Sequence, residues 1–299
     1  MQSQSFQCLR TFNDSADIEA LAMSPDGSML ISGSCDNTIK IWDLRTGQLM
    51  RTLEGHKSIL TCITLSPDGQ TLVSSSWDTT FKIWEFHTGE VKHSCQIFDS
   101  GAEEFSIVDS LVISLDGKTL YTGTRGGSTY YWDISTGKQL RRWSISGGSL
   151  LAMSADGRTL AGTYTGTFIV SDLPEYTRRF RVETRHNSPS LAISPDRETV
   201  FIGDYDGNVY LWDARQGQEL SSLGGHSGIV KAIGVSPDGK MLASGDKQGG
   251  VKVWALDSKT ELCTLEGHSE DISGLIFTPD SQTLVSSSVD TSIKVWGIR

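Results

Sequence analysis

Short runs of β-branched and apolar residues recur along the chain, each about 4–8 residues long and each closed by a turn signal. Residues 59–65 read ILTCITL, a strand pattern, and SPDG follows at 66–69, where Pro fixes φ and Gly accepts a positive φ. TLVSSS at 71–76 predicts a second strand and WDTT at 77–80 a tight turn. FKIWEF at 81–86 predicts a third strand, and HTGE at 87–90 turns the chain into a fourth. Helical spacing is nowhere sustained. Four short antiparallel strands in about 40 residues is the pattern of one propeller blade.

The unit repeats. SPDG or a variant places an Asp at 26, 68, 116, 156, 196, 238 and 280, with intervals of 42, 48, 40, 40, 42 and 42. Trp keeps phase at 42, 84, 132, 212, 254 and 296, while Ser171 takes that place in the fourth unit. The seven units span approximately 13–53, 54–95, 96–143, 144–182, 183–223, 224–265 and 266–299 plus 5–12, leaving no room for a second domain.

The set of Gly-His, SPDG, turn Asp and Trp-Asp markers resembles the WD-repeat β-propeller family over residues 7–299, with regular units that look like bacterial arrays. The resemblance implies an all-β fold: a single seven-bladed β-propeller of four-stranded antiparallel blades. The last unit stops after its third strand, SIKVWGIR, and QCLRTF at 7–12 aligns with the fourth-strand segment LMRTLE at 49–54. The N-terminal strand is therefore expected to join the last blade and close the ring, removing an open sheet edge.

Each unit offers Ser, His and Asp, which could be misread as a catalytic triad. His56, Ser74, Asp78 and Trp84, repeated as His268, Ser286, Asp290 and Trp296, occupy positions that this family links by structural hydrogen bonds. A catalytic site occurs once, not at several points around a ring, so no catalytic residue is expected. Other units depart from the pattern. Unit 1 has Asp14 where His is expected, unit 6 has Gln248 at the turn Asp, and units 3 and 4 have Gly126 and Thr165 there. Blades 3 and 4 should be the least regular, through tolerated drift or through adaptation to a partner.

Function must reside in positions that vary between blades. In this family the top face is a frequent partner surface. The residue before the turn Asp is Cys35, Trp77, Arg125, Tyr164, Tyr205, Lys247 and Val289 in turn. The positions seven and five residues before the SPDG Ser add Asp17 and Glu19, Asp109, Lys231 and Asp271, among others. Trp77, Tyr164 and Tyr205 are the expected apolar anchors, and Arg125, Lys231 and Lys247 the expected cations, with Arg125 and Lys247 facing a partner carboxylate. Trp, Tyr and Arg are the residue types that dominate binding hot spots.

Two features break the symmetry. The 48-residue interval marks an insertion near 95–105 carrying Asp99, Glu103 and Glu104. It reads as a partner contact or a harmless solvated loop. Arg141, Arg142, Arg178, Arg179 and Arg181 lie on fourth strands, with Arg185 just beyond. Charge on an edge blocks sheet pairing; the alternative is an acidic partner or a nucleic-acid backbone.

Bulk properties narrow the choice. With 36 acidic against 26 basic residues the formal charge is −10, which argues against general nucleic-acid binding. No apolar run approaches the roughly 18 residues of a membrane span, and the N-terminus lacks a signal pattern. Five widely spaced cysteines without CxxC point to reduced thiols in a cytoplasmic protein. No metal or cofactor is expected: GxxxxGK[ST], HExxH and GxSxG do not occur. DYDGN at 204–208 lacks the last ligand of a calcium loop, since Arg215 stands there. The sequence therefore points to a non-enzymatic, monomeric interaction scaffold that docks a peptide or protein partner. The alternatives are a fixed subunit of a larger assembly contacted through its outer edge, and a propeller hydrolase with a central-channel site.

Overall fold

The computed structural model describes residues 6–97, 106–143, 149–175, 177–184 and 188–298. The acidic insertion with Asp99, Glu103 and Glu104 lies outside the described residues, as do Gly147, Tyr176, Arg185 and Asn187. Among the described residues every regular element is a β-strand, numbered β1 to β28 in chain order.

Blade 1 comprises β2 (Ile18–Met23), β3 (Met29–Ser34), β4 (Ile39–Asp43) and β5 (Leu49–Leu53), paired antiparallel in that order. Blades 2 to 6 repeat the arrangement. Their innermost strands are β6 (Leu60–Leu65), β10 (Val108–Ile113), β14 (Leu150–Met153), β18 (Ser190–Ile193) and β22 (Val230–Val235). The seventh blade is assembled from both ends of the chain. β26 (Ile272–Phe277), β27 (Thr283–Ser288) and β28 (Ser292–Ile298) are completed by β1 (Phe6–Asn13), with register Phe6↔Ile298 through Asn13↔Ser292. Each innermost strand packs against the next, and β26 packs against β2, so the circle is complete.

Seven hydrophobic clusters fill the seven gaps between blades. The closing gap joins Val285, Ile293 and Val295 of blade 7 and Phe12 of β1 to Ile18, Leu30 and Trp42 of blade 1. Phe12 stacks on Trp42 with ring centroids 6.1 Å apart. Among the described residues the gap between blades 3 and 4 is built on Tyr121, Tyr131, Leu151, Leu160 and Leu173. In blade 4, Ser171 at the Trp position is buried, and its hydroxyl finds no hydrogen-bond partner among the described residues.

The SPDG turns explain their own spelling. In blade 1 the Ser24 hydroxyl donates to Asp26 Oδ1 at 2.5 Å, and Ser28 N–H donates to the same oxygen at 3.0 Å. Met29 N–H donates back to Ser24 Oγ at 2.9 Å. Gly27 sits at φ +72°, and a Cβ there would lie 2.8 Å from Pro279 of blade 7. The turn thus fixes its own backbone and lets the neighbouring blade approach.

Ring closure gives the first prediction. Phe12→Ala should destabilise the chain by about 3–5 kcal/mol, the usual result for a buried Phe, read as a lower urea midpoint. Removing residues 1–12 should lower the melting temperature further still. An unchanged melting temperature in the truncated chain would show that β1 does not hold the ring.

Candidate partner-binding face

The polar residues divide into those that hold the ring and those left over. In blade 2 Trp84 Nε1–H donates to Ser74 Oγ at 2.8 Å, Ser74 Oγ lies 2.8 Å from His56 Nε2, and His56 Nδ1 lies 2.9 Å from Asp78 Oδ2. Lys57 N–H donates to the same carboxylate oxygen at 2.8 Å. Blade 7 repeats the chain through Trp296, Ser286, His268 and Asp290 at 2.8, 2.7 and 2.9 Å. Only a neutral imidazole protonated on Nδ1 satisfies every link in order: indole to hydroxyl, hydroxyl to Nε2, Nδ1–H to carboxylate. The serine hydroxyls are fully buried behind the indoles, so each set ties an inter-blade loop to a strand.

Blade 6 corrects the sequence reading. Gln248 does stand at the turn position, but the network is intact because Asp246, two residues earlier, takes the role. His226 Nδ1 lies 3.1 Å from Asp246 Oδ2, His226 Nε2 2.7 Å from Ser244 Oγ, and Trp254 donates to Ser244 at 2.8 Å. Blade 1 replaces imidazole by ammonium. Lys40 Nζ reaches Asp14 at 2.6 Å and Asp36 at 2.5 Å, while Trp42 donates to Ser32 at 2.9 Å. The Asp at the His position is thus one half of a substitute pair whose other half lies on β4.

Titration follows from these environments. Burial pushes the imidazoles of His56, His226 and His268 below their usual range, against the opposing pull of Asp78, Asp246 and Asp290. Burial alone would raise Asp78 and Asp290. Hydrogen bonds from Thr80 and Lys57 to Asp78, and from Ser292 and Ser269 to Asp290, outweigh it and hold both at about 2.

The residues left over converge on one face. A funnel of about 780 Å³ opens on the ring axis and is lined from all seven blades, including Glu19, Asp109, Arg125, Tyr164, Tyr205, Lys231 and Asp271. It continues into a narrower channel of about 330 Å³ walled by the innermost strands. A β-bulge in the inner strand supplies much of the funnel lining. Where β2, β6, β10, β22 and β26 pair with their neighbours, Glu19, Thr61, Asp109, Lys231 and Ser273 are the residues skipped by the register. A bulge re-aims a side chain out of the ladder.

Of the six residues expected to meet a partner, Arg125, Tyr164, Tyr205 and Lys231 line the funnel. Trp77 does not line it but lies beside it, 49% exposed, with the Arg125 guanidinium 4.5 Å over its ring. Tyr205 is 54% exposed. Lys247 is exposed but outside the funnel lining. Arg125 does not present a spare charge. Its Nη2 and Nε donate to Asp109 at 2.8 and 3.3 Å. Opposite charges at the two top-face positions of one blade were the available signal for that pair. Lys231 lies 3.7 Å from Asp271. Two of the edge arginines are also engaged: Arg179 pairs with Asp172 and donates to the Ala214 carbonyl at 2.7 Å, and Arg142 lies over the Tyr130 ring.

The fold and site define a closed seven-bladed propeller whose loops are tied to its strands by repeated indole–hydroxyl–imidazole–carboxylate chains. Five segments, residues 6–43, 47–85, 179–213, 217–255 and 259–297, match the family model described as WD domain, G-beta repeat. The chain belongs to the WD-repeat family. The first matched repeat begins on β1, one strand ahead of its blade, and residues 86–178, most of blades 3 and 4, lie outside the matched segments. Autophagy-related protein 16 of Arabidopsis thaliana is 28% identical over 215 residues, covering 68% of this chain and 40% of that protein. The guanine nucleotide-binding protein subunit beta of Zea mays is 30% identical over 157 residues, 48% of this chain and 40% of that protein. The human angio-associated migratory cell protein is 27% identical over 206 residues, 68% and 41%. The chain spans less than half the length of these curated relatives.

The networks can be weighed one carboxylate at a time. Asp246→Ala should destabilise by about 1–3 kcal/mol, because it orphans the His226 Nδ1–H, whereas Gln248→Ala should stay within about 0.5 kcal/mol. Urea midpoints of the two variants would separate the roles. The imidazoles also tie stability to pH. A depressed histidine pKa makes the folded state resist protonation, so this stability is full above the ordinary value of 6.5 and is lost as pH falls below it. The carboxylates add a second loss between about 4 and about 2. Melting temperature should therefore fall between pH 7.5 and 5.5, and a flat profile there would show the imidazoles are not buried neutral.

Proposed function

We propose that this chain is a non-enzymatic interaction scaffold that docks a peptide or protein segment in the axial funnel. The observation that carries this reading is the convergence of Tyr164, Tyr205 and Arg125, with Trp77 beside them, at positions the ring networks do not use. Membership in the WD-repeat family supports it. The receptor is preorganised by ring closure and by the inner-strand bulges, so a partner meets a surface that needs little ordering. Five free cysteines support a reducing, cytoplasmic setting.

A second reading, a fixed subunit contacted through its outer edge, is favoured by another observation. The outermost strand of every blade skips one residue at a bulge, and in five blades that residue is aliphatic and exposed. Leu9, Met50, Leu140, Leu220 and Leu262 are 39–61% exposed. Blades 5, 6, 7 and 1 form a continuous arc of them. In blades 2 and 4 the bulge carries Lys92 and Arg179, each paired with a carboxylate.

Affinity capture from native extract, read by mass spectrometry, separates the two. Wild-type bait would be compared with Trp77→Ala/Tyr205→Ala and with Leu220→Asp/Leu262→Asp, each checked for an unchanged melting temperature. The funnel reading expects a partner lost, roughly thirtyfold or more for hot-spot residues, only from the aromatic variant. Loss only from the leucine variant would replace it with the edge reading.

A further inference from the structure

The charges in the funnel are unevenly committed. On the side of blade 3, Arg125 is held by Asp109 through two hydrogen bonds and covered by Trp77. That cation is already neutralised. On the side of blades 6, 7 and 1 the balance is different. Asp271 lies 3.7 Å from Lys231, a loose contact rather than a hydrogen bond. Glu19 faces the same lysine, with Asp17 and Asp271 as its like-charged neighbours and the Cys35 thiol donating to it at 3.7 Å. Two carboxylates, Glu19 and Asp271, therefore share one ammonium, and Asp17 adds negative charge beside Glu19. Glu19 and Lys231 also line the channel below, so this excess sits where the funnel narrows onto the axis.

The environment of Glu19 agrees. Burial raises its pKa, Lys231 opposes this, and Asp17 and Asp271 add to the rise. A carboxylate in that position gains from any further cation brought near it. An anionic group would meet the opposite: among the described lining residues Arg125 is taken, and Lys231 is outnumbered.

We propose that the funnel docks a partner segment through a lysine or arginine side chain seated between Glu19 and Asp271 at the channel mouth. This rests on the docking reading above and names the partner's chemistry. The exposed rings of Tyr164 and Tyr205, which line the same funnel, accept an adjacent aromatic or aliphatic residue of that segment, or the cation's own stem. Lys231 is then a competitor, occupying part of the site the incoming cation needs. The partner is a protein segment rather than a free small cation, because a funnel lined from all seven blades offers far more surface than one ammonium covers.

The test uses the full chain and a positional-scanning array of octapeptides, with the best sequences remade and measured by fluorescence anisotropy. The peptides selected should carry Arg or Lys beside an aromatic or aliphatic residue. Glu19→Gln/Asp271→Asn should weaken them roughly tenfold or more, as expected for loss of hydrogen bonds between charged groups. Lys231→Gln should tighten them, and an unfolding variant would not produce that gain. General attraction to a chain of charge −10 would respond equally to charge changes elsewhere on the surface, so Asp257→Asn serves as the control. Selection of acidic peptides, or tyrosine-dependent binding indifferent to Glu19, Asp271 and Lys231, would overturn the cation and leave docking standing. An array in which no binding depends on Tyr164, Tyr205 or the carboxylates would overturn both.

Discussion

A propeller blade buries one face against the blade before it and the other against the blade after it, so no sheet in this chain is complete until the circle is. The pairing of β1 with β28 carries that burden. It is a long antiparallel register between segments almost 290 residues apart in sequence, and it sets Phe12 against Trp42 across the last gap. An open ring would expose apolar faces at both ends, as the end units of a linear stack do, together with an unpaired sheet edge. Every other contact between blades gains its full burial only when this pair has formed.

Once the ring is closed, local networks decide how firmly each loop is held. Among the described residues, three blades use the Trp–Ser–His–Asp chain, which is satisfied only by a neutral imidazole. Blade 1 uses a buried lysine between two aspartates instead. The substitution preserves the link between loop and strand while changing its chemistry: charge against charge in place of a directed proton chain. Blade 4 has neither: Ser171 stands where the indole would be, and its buried hydroxyl finds no hydrogen-bond partner among the described residues. Blades 3 and 4 are nonetheless clasped as a pair between blades 2 and 5 of the closed ring. A closed ring can therefore carry irregular members that the end of a linear stack could not.

Much of this is legible in the sequence alone. The period, the four-strand unit and the N-terminal closure follow from turn residues and a missing fourth strand, features that act over a few neighbouring positions. The networks of His56 and His268 are legible because their members recur at fixed offsets. What is not legible depends on reach in space. Asp246 replaces the expected aspartate from the preceding strand end, and a residue-by-residue alignment of the repeats sees only Gln248 at that turn. Lys40 completes the pair of Asp14 from 26 positions away. Arg125 reads as a free charge because its partner Asp109 occupies another strand of the same blade. Offsets in a repeat predict which positions meet; they do not predict which of two candidate side chains fills the meeting point.

The bulges explain why function can vary while the ring does not. An inner-strand bulge places a side chain outside the ladder register and beside the funnel, although Thr61 still donates to the Val108 carbonyl of the next blade. Glu19, Thr61, Asp109, Lys231 and Ser273 share that geometry and little else. Their differences are therefore free of the constraints that keep the SPDG turns and the indole networks alike. The same holds at the outer rim, where the skipped residue is aliphatic in five blades and an ion-paired cation in two. The two rings of bulges are separated by the width of each sheet, so a partner in the funnel and a neighbour at the rim would not compete. A rigid ring with two independent sets of variable positions can hold one partner while being held by another, and the acidic bias at the channel mouth concerns only the first.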